Sequence, residues 1–233
     1  MFIIIINFMP TFANKSTRYF TGLKSPSKLP SGIGIMNPYE RKEVKDAVKE
    51  FYKKFYDDGR MRIFVLGINP GRFGGGLTGI SFTDPVALRK HCGIENQLGN
   101  KEELSSKFIY EVINHLGGVK KFFSHFFLSA IYSLALINAG KNYNYYDNKK
   151  LFTFLRPQLI NSLKEQTKFG ADRKAVICLG KKNAEYLKVL NDELELFDRI
   201  ETLDHPRFIM QYRKKKIEDY IAKYLSVLAT SLS

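Results

Sequence analysis

The stretch formed by residues 61–82 constrains the fold of this chain more than any other. It reads MRIFVLGINPGRFGGGLTGISF, in which the continuous apolar residues 63–66 run directly into a loop rich in glycine. Apolar runs of this length are typical of strands that are covered on both faces, as in parallel sheets between layers of helices. We therefore predict a buried strand that ends at Gly67 within a parallel sheet.

Asn69 follows this predicted strand and stands between Gly67 and Pro70. In open parallel sheets, ligands bind just outside the carboxyl ends of the strands. Pro70 fixes its own φ and biases the preceding residue toward extended backbone, so Asn69 has little conformational freedom. Asn69 is therefore a candidate functional residue.

The loop after Asn69 allows two further interpretations. Its glycines permit a close approach of backbone to a ligand and leave N–H groups free to donate, as in a phosphate cradle. However, the sequence lacks GxxxxGK[ST], and it lacks a GxGxxG followed by a helical pattern and an acidic residue. A nucleotide-cofactor loop and a purely structural glycine turn both remain alternatives. The glycines in question are Gly71, Gly74, Gly75, Gly76 and Gly79.

The rest of the chain repeats the order of strand, glycine and helix. Residues 175–179, AVICL, form a second apolar run that stops at Gly180, and a third dense run at 122–137 predicts a central strand and its exit. Residues 200–203 predict a last short strand. This alternation predicts an α/β fold, namely a three-layer α/β/α sandwich around a mainly parallel four-stranded sheet. Amphipathic helices are predicted over 39–56, 101–116, 151–168, 182–190 and 211–228.

The N-terminal 35 residues differ in composition from the remainder. MFIIIINFMP is too short to span a bilayer and lacks the flanks of a signal peptide, so a peripheral strand or a start-site artefact is expected. Residues 11–35 are rich in Ser, Lys, Gly and Pro without an apolar period, which favours an irregular surface arm. We predict an arm over 1–35 and one domain over 36–233.

Charge and cysteine content narrow the class of protein. The chain carries 37 Lys and Arg against 23 Asp and Glu, a net charge of +14, which favours a polyanionic partner such as DNA. Cys92 and Cys178 cannot form a disulfide framework or a metal cluster. We expect a cytoplasmic protein without a cofactor, a metal or a membrane partner.

His205 is the second candidate functional residue. It follows the last predicted strand in Asp204-His205-Pro206-Arg207, and parallel strands would bring it to the same sheet edge as Asn69. A lone histidine is more often structural than functional. His205 differs from the other three histidines, which have no such context, because a proline-stiffened turn follows its strand.

These residues resemble the single-strand-selective monofunctional uracil-DNA glycosylases, the SMUG-like group. GINPGRFGGGLTGISF resembles the first motif of that family, and DHPR resembles its second motif, an HPSPR-type turn. FLSAIYSLALINAGKN between them aligns with the family's central strand and the following loop. The resemblance spans about residues 60–228, is nearest to the bacterial branch, and implies a monomeric base-excision repair enzyme that binds DNA.

The resemblance implies roles for individual residues. Asn69 corresponds to the residue that positions the attacking water, and His205 to the donor that binds the uracil O2 as charge develops. Phe82 falls where a phenyl ring stacks on the flipped base. The base edge would be lined by Gly67, Ile68 and Gly71, and the DNA-binding wedge region would include Arg207, Arg213 and Lys214.

Two departures from the family pattern affect the expected substrate. Ser129 stands where the family reads the edge of uracil with an asparagine, and the HPSPR-type turn is shortened to His205-Pro206-Arg207. A serine hydroxyl offers fewer contacts than an amide, so a site with Ser129 should tolerate other bases. We therefore predict removal of uracil and also of xanthine, with thymine a poor substrate.

The chemistry of base excision fits these residues. Cleavage of an N-glycosidic bond produces a base anion, so the enzyme needs a donor for that anion and a held water. A flipped base also needs an aromatic platform, and the DNA needs a basic surface. The alternative is a non-catalytic nucleic-acid-binding protein that retains the glycosylase fold; formation of abasic sites distinguishes the two.

Overall fold

The computed structural model describes residues 9–232, and the expectation for MFIIIINF lies outside them. The strands are β1 (Ile33–Met36), β2 (Arg62–Gly67), β3 (Phe126–Ala130), β4 (Ala135–Asn138), β5 (Lys141–Tyr143), β6 (Ala171–Leu179) and β7 (Ile200–Leu203). The helices are α1 (Phe12–Thr21), α2 (Lys42–Tyr56), α3 (Gly75–Thr78), α4 (Pro85–Lys90), α5 (Leu104–His115), α6 (Val119–His125), α7 (Lys149–Thr167), α8 (Lys181–Leu194), α9 (Pro206–Tyr212) and α10 (Ile217–Thr230).

A four-stranded parallel sheet forms the centre of the molecule. Its order is β3-β2-β6-β7, and each neighbouring pair is parallel. All six residues of β2 are buried, because helices cover both faces of the sheet. The α/β prediction is confirmed, and β2 and β6 lie where the two continuous apolar runs predicted strands.

The apolar stretch at 122–137 is not one central strand. It divides into the end of α6, the edge strand β3, and β4, which belongs to a second sheet. That sheet is antiparallel with the order β1-β4-β5 and was not predicted. Hydrophobicity alone does not separate these elements, because the buried helix, the buried strand and the turn between them are equally apolar.

The expectation of an irregular surface arm over residues 11–35 is wrong where α1 and β1 form, while residues 23–32 belong to no helix or strand. Thr11 caps the N-terminus of α1, and Phe12 and Phe20 are almost fully buried. Phe12 stacks on Tyr56 at a ring-centroid distance of 5.2 Å and meets Phe127 edge-on at 4.9 Å. These aromatic contacts fix α1 to the central sheet. The sequence of α1 contains only a few apolar residues from which this packing could have been predicted.

A buried arginine at the start of β2 joins α1 to the sheet. The Arg62 side chain is fully buried, donates to both carboxylate oxygens of Asp58 at 2.9 and 3.0 Å, and lies over the rings of Phe12 and Tyr56. Partial burial disfavours ionisation of Asp58, but the hydrogen bonds from Arg62 and Arg60 outweigh it and hold the pKa of that carboxyl well below its usual range. The buried charge is therefore paired.

The C-terminal helical prediction is only partly correct. Instead of one helix over 211–228, the structure has α9, a 3-10 turn at Lys214–Lys216 and α10. Pro206 occupies the first position of α9, where its missing N–H costs nothing, so the helix begins directly after His205. Within residues 9–232, no helix is both long and apolar enough to cross a membrane.

Candidate active site

A cavity of about 630 Å³ lies outside the carboxyl ends of the parallel strands. β2 contributes Gly67 and the loop after it, β3 contributes Ala130, and β7 leads to His205. The sheet topology thus brings together residues that lie more than a hundred positions apart. Of the residues predicted from the sequence, those that line this cavity are Gly67, Ile68, Asn69, Gly71, Phe82, His205 and Arg207.

Asn69 is held by two backbone contacts. Its Nδ2 donates to the carbonyl of Tyr143 at 3.0 Å, and its Oδ1 accepts from the N–H of Tyr145 at 3.3 Å. Each half of the amide retains one further hydrogen-bonding position. The side chain is therefore fixed in orientation and still able to bind a water or a substrate atom.

The ring of Phe82 lies directly over Gly67. A Cβ atom at Gly67 would come within 2.5 Å of the Phe82 ring, so only glycine fits there. Phe82 has φ of 55°, in the left-handed region that non-glycine residues seldom occupy. Such backbone strain is typical of functional sites, and here it presents the ring to the cavity.

His205 is the N-cap residue of α9, and this role fixes its tautomer. The N–H of Arg207 donates to His205 Nδ1 at 3.2 Å, so in the neutral ring the proton is on Nε2. Desolvation, aided by the charge of Arg207, lowers the pKa of His205 to about 4. At neutral pH the residue is a neutral imidazole that offers an N–H donor beside Phe82, at a ring-centroid distance of 6.0 Å.

The glycine loop is not a phosphate cradle. The carbonyl of Gly71 accepts from the N–H groups of Gly74 and Gly76, so these donors are used within the loop. The carboxyl group of Glu103 lies against Gly71 and Gly74, where an added Cβ would come within 1.8 and 1.9 Å of its oxygens. This carboxyl group occupies the space that a phosphate group would need beside the loop, which argues against the nucleotide-cofactor alternative.

Ser129 does not face the cavity, so the expectation that its hydroxyl reads the base is wrong. The side chain is fully buried, and Oγ donates to Oε1 of Gln166 on α7. The Gln166 amide also donates to the carbonyl of Ala130 at 3.1 Å and to Ser162 at 2.9 Å. Alternation along β3 points Ser129 into the helix layer and leaves Ala130 at the cavity.

The three basic residues predicted to bind DNA are all exposed, but only Arg207 lines the cavity. Arg213 and Lys214 follow α9 on the outer surface. Arg213 lies over the ring of Phe208, 5.1 Å from its centroid, and Phe208 contacts Tyr212. Exposed aromatic and basic side chains therefore share the surface next to the cavity mouth.

Several cavity residues were missed by reasoning from the sequence. Glu103 lies within the charged run KEE, which is typical of an exposed helix start, and its half-buried position against Gly71 and Gly74 follows only from the tertiary structure. Arg72 and Asn142 pair through the Arg72 N–H at 3.0 Å. No periodic signal marks them, because Arg72 lies in a turn and Asn142 in the three-residue strand β5.

Comparison with known proteins identifies the class to which this fold and site belong. The family described as "Uracil DNA glycosylase superfamily" matches residues 53–229 of the chain. The chain therefore belongs to the uracil-DNA glycosylase superfamily, and it is a DNA glycosylase. DNA is accordingly its substrate. Curated proteins offer no significant match.

A solved structure gives a more specific relationship. The chain is similar to the crystal structure of wild-type Pedobacter heparinus SMUG2, with 42% sequence identity and a TM-score of 0.91. The match covers 97% of this chain and 100% of that chain. The predicted membership of the SMUG-like group is thus confirmed.

Proposed function

We propose that this protein hydrolyses the N-glycosidic bond of uracil flipped out of DNA and leaves an abasic site. The observation that carries the proposal is the convergence of Asn69, Phe82 and a neutral His205 in one cavity at the carboxyl edge of the sheet. These groups match what the reaction needs, namely a fixed polar group for water, a ring for the base and a donor for developing charge.

In the proposed reaction the flipped base stacks on Phe82. The bond between C1′ and the base nitrogen breaks, and negative charge moves onto the base, where Nε2–H of His205 donates to O2. A water held by Asn69 adds its oxygen to C1′, and the proton that it releases through solvent neutralises the departing base anion, so that the products are the free base and an abasic deoxyribose. One such donor accelerates the reaction by roughly 10²- to 10³-fold.

Xanthine is proposed as a second substrate. The earlier reason, a hydroxyl of Ser129 facing the base, no longer applies, since Ser129 lies in the core. What supports the proposal is the cavity itself, which at about 630 Å³ has room for a purine as well as a pyrimidine.

The decisive experiment uses end-labelled single- and double-stranded oligonucleotides that each contain one uracil, xanthine, hypoxanthine or thymine. We expect alkali-labile sites with uracil and xanthine, and few with thymine. Strand breaks that need no alkali, or a borohydride-trapped covalent complex, would contradict the monofunctional assignment. Binding without base release would support the non-catalytic alternative, and release of xanthine but not uracil would overturn the proposed preference.

A further inference from the structure

The carboxyl group of Glu103 lines the cavity, and neither the resemblance nor the proposed reaction gives it a role. Glu103 precedes α5, and its own N–H donates to Asp84 at 2.9 Å, which fixes the backbone at the cavity wall. Its carboxyl oxygens lie against Gly71 and Gly74. Among residues 9–232, no group makes a hydrogen bond or an ion pair with these oxygens.

In the proposed reaction, one carbonyl oxygen of the base has no hydrogen-bond donor. Uracil carries two carbonyl oxygens, O2 and O4, and the proposed reaction provides a donor only for O2. Ser129, which was expected to meet the outer edge of the base, faces α7 instead. A base that gives up water on entering the cavity without a donor for O4 would bind poorly, because an unpaired buried carbonyl is costly.

We propose that Glu103 is a specificity-determining residue that, as a neutral carboxylic acid, donates a hydrogen bond to the outer carbonyl of the base, O4 of uracil. This inference rests on the proposed function. A protonated carboxyl has one O–H donor, whereas an ionised one has only acceptors and would place its lone pairs against those of O4. Deamination creates this carbonyl in place of an amino group, so the contact would distinguish uracil from cytosine.

The surroundings of Glu103 favour its neutral form. Desolvation raises the pKa of Glu103 to about 7, with the positive charge of Arg207 on α9 opposing the shift and the carboxylate of Asp84 at the start of α4 adding to it. Across the cavity, His205 is neutral at this pH. On its own segment, the neighbouring Glu102 is paired with Lys107. A bound base displaces further water and shifts Glu103 further toward the acid form.

The experiment measures kcat/KM for uracil excision, which reports the pKa of the free enzyme, from about pH 6 to about pH 8.5 for the wild type and for Glu103→Gln. We expect the wild-type rate to fall above about pH 7 and to approach a tenfold loss per pH unit, because only the protonated form donates. Glu103→Gln carries a permanent N–H donor and should keep the rate without the alkaline fall. Glu103→Ala should be about 10- to 100-fold slower than the wild type below about pH 7 and should show no alkaline fall of its own.

The control is Glu111→Gln, which removes the same charge from an exposed position on α5 and should keep the wild-type pH profile. A Glu103→Gln variant that retains the alkaline fall, or a Glu103→Ala variant with wild-type rates, would overturn the inference. A wild type that releases no uracil would overturn the proposed function, and this inference with it. An active wild type with an unchanged rate above pH 7 overturns the inference alone.

A second substrate keeps the inference testable should the Glu103 variants fail to fold. Wild-type enzyme is given an oligonucleotide containing pyrimidin-2-one, which has O2 but lacks the O4 carbonyl. We expect excision of this base to show no alkaline fall between about pH 7 and about pH 8.5, since it needs no outer donor. The same fall with uracil and with pyrimidin-2-one would mean that Glu103 does not contact O4.

Discussion

At the scale of single residues, the position of His205 at the start of α9 matters as much as its chemistry. The cap bond from Arg207 N–H occupies Nδ1, and desolvation keeps the ring neutral. A structural requirement of the helix thereby selects the tautomer that donates through Nε2. An imidazolium would also donate, but it would carry the cost of an unpaired charge close to Arg207.

We expect His205→Ala to reduce the excision rate by roughly 10²- to 10³-fold, as for other lost oxyanion donors. Because the pKa of His205 is lowered to about 4, the wild type should stay active from neutral pH down to about that value and lose activity below it. Rates measured against pH, with exposed His115→Ala as the control, test this. An activity that rises as the ring becomes protonated would contradict the neutral donor.

We expect Asn69→Ala to reduce turnover by at least about 10²-fold while DNA affinity stays nearly constant, because the change removes positioning and not phosphate contacts. The amide is oriented by Tyr143 and Tyr145, so its loss leaves no group of equal geometry. Single-turnover rates and binding isotherms separate the two effects, with exposed Asn161→Ala as the control. Equal losses in rate and affinity would exclude a role in holding water.

At the scale of elements, α1 is part of the core despite its polar sequence. Phe12 touches Tyr56, Phe64, Phe127 and Phe169, and the guanidinium of Arg62 lies over its ring. Removal of the ring would leave a cavity beside a buried charge. The helix is therefore expected to contribute to the stability of the whole domain.

We expect Phe12→Ala to lower the free energy of unfolding by about 3–5 kcal/mol, the usual range for a buried phenylalanine. Denaturation with urea, followed by circular dichroism, measures the change. The exposed Arg18→Ala variant on the same helix should change it by less than about 0.5 kcal/mol. Similar stabilities of the two variants would mean that α1 is only loosely attached.

Some elements of the fold could be predicted from the sequence alone, and others could not. Strands β2 and β6 were predictable because each contains an unbroken apolar run, 63–66 and 175–179, that is followed by a glycine. The positions of Asn69 and His205 at the cavity followed from the geometry of parallel strand ends. α1 was missed because its buried face includes Ser16 and Ala13 beside two phenylalanines, so its apolar period is weak. Ser129 was placed wrongly for another reason. A strand buried on both faces gives no polar alternation to show which side meets the cavity.

At the scale of the whole molecule, part of the excess positive charge that gives the net charge of +14 is clustered next to the cavity. Residues 213–216 are four consecutive exposed cations at the end of α9. α6 lies at the opposite edge of the sheet, since it precedes β3, whereas the cavity lies at the carboxyl ends. We propose that this basic run contacts the DNA beside the flipped base.

We expect replacement of residues 213–216 by glutamine to weaken binding to all DNA sequences alike and to flatten its dependence on salt. Each lost phosphate contact reduces the slope of log affinity against log salt by about 0.7–0.9. The control replaces Lys120 and Lys121 on α6 and should leave the slope unchanged. An unaltered slope for the 213–216 variant would identify the run as a solvated face.

The hydrogen bond between Ser129 and Gln166 limits which substitutions these two positions can accept independently. Each side chain satisfies the other inside the core, and Gln166 extends the network to Ser162, which bonds Tyr19 of α1. A change at either position leaves a buried polar group unpaired, so the pair should be inherited together. A double-mutant cycle with Ser129→Ala and Gln166→Leu should give a coupling energy of about 0.5–3 kcal/mol, and additive effects would show that each position evolves alone.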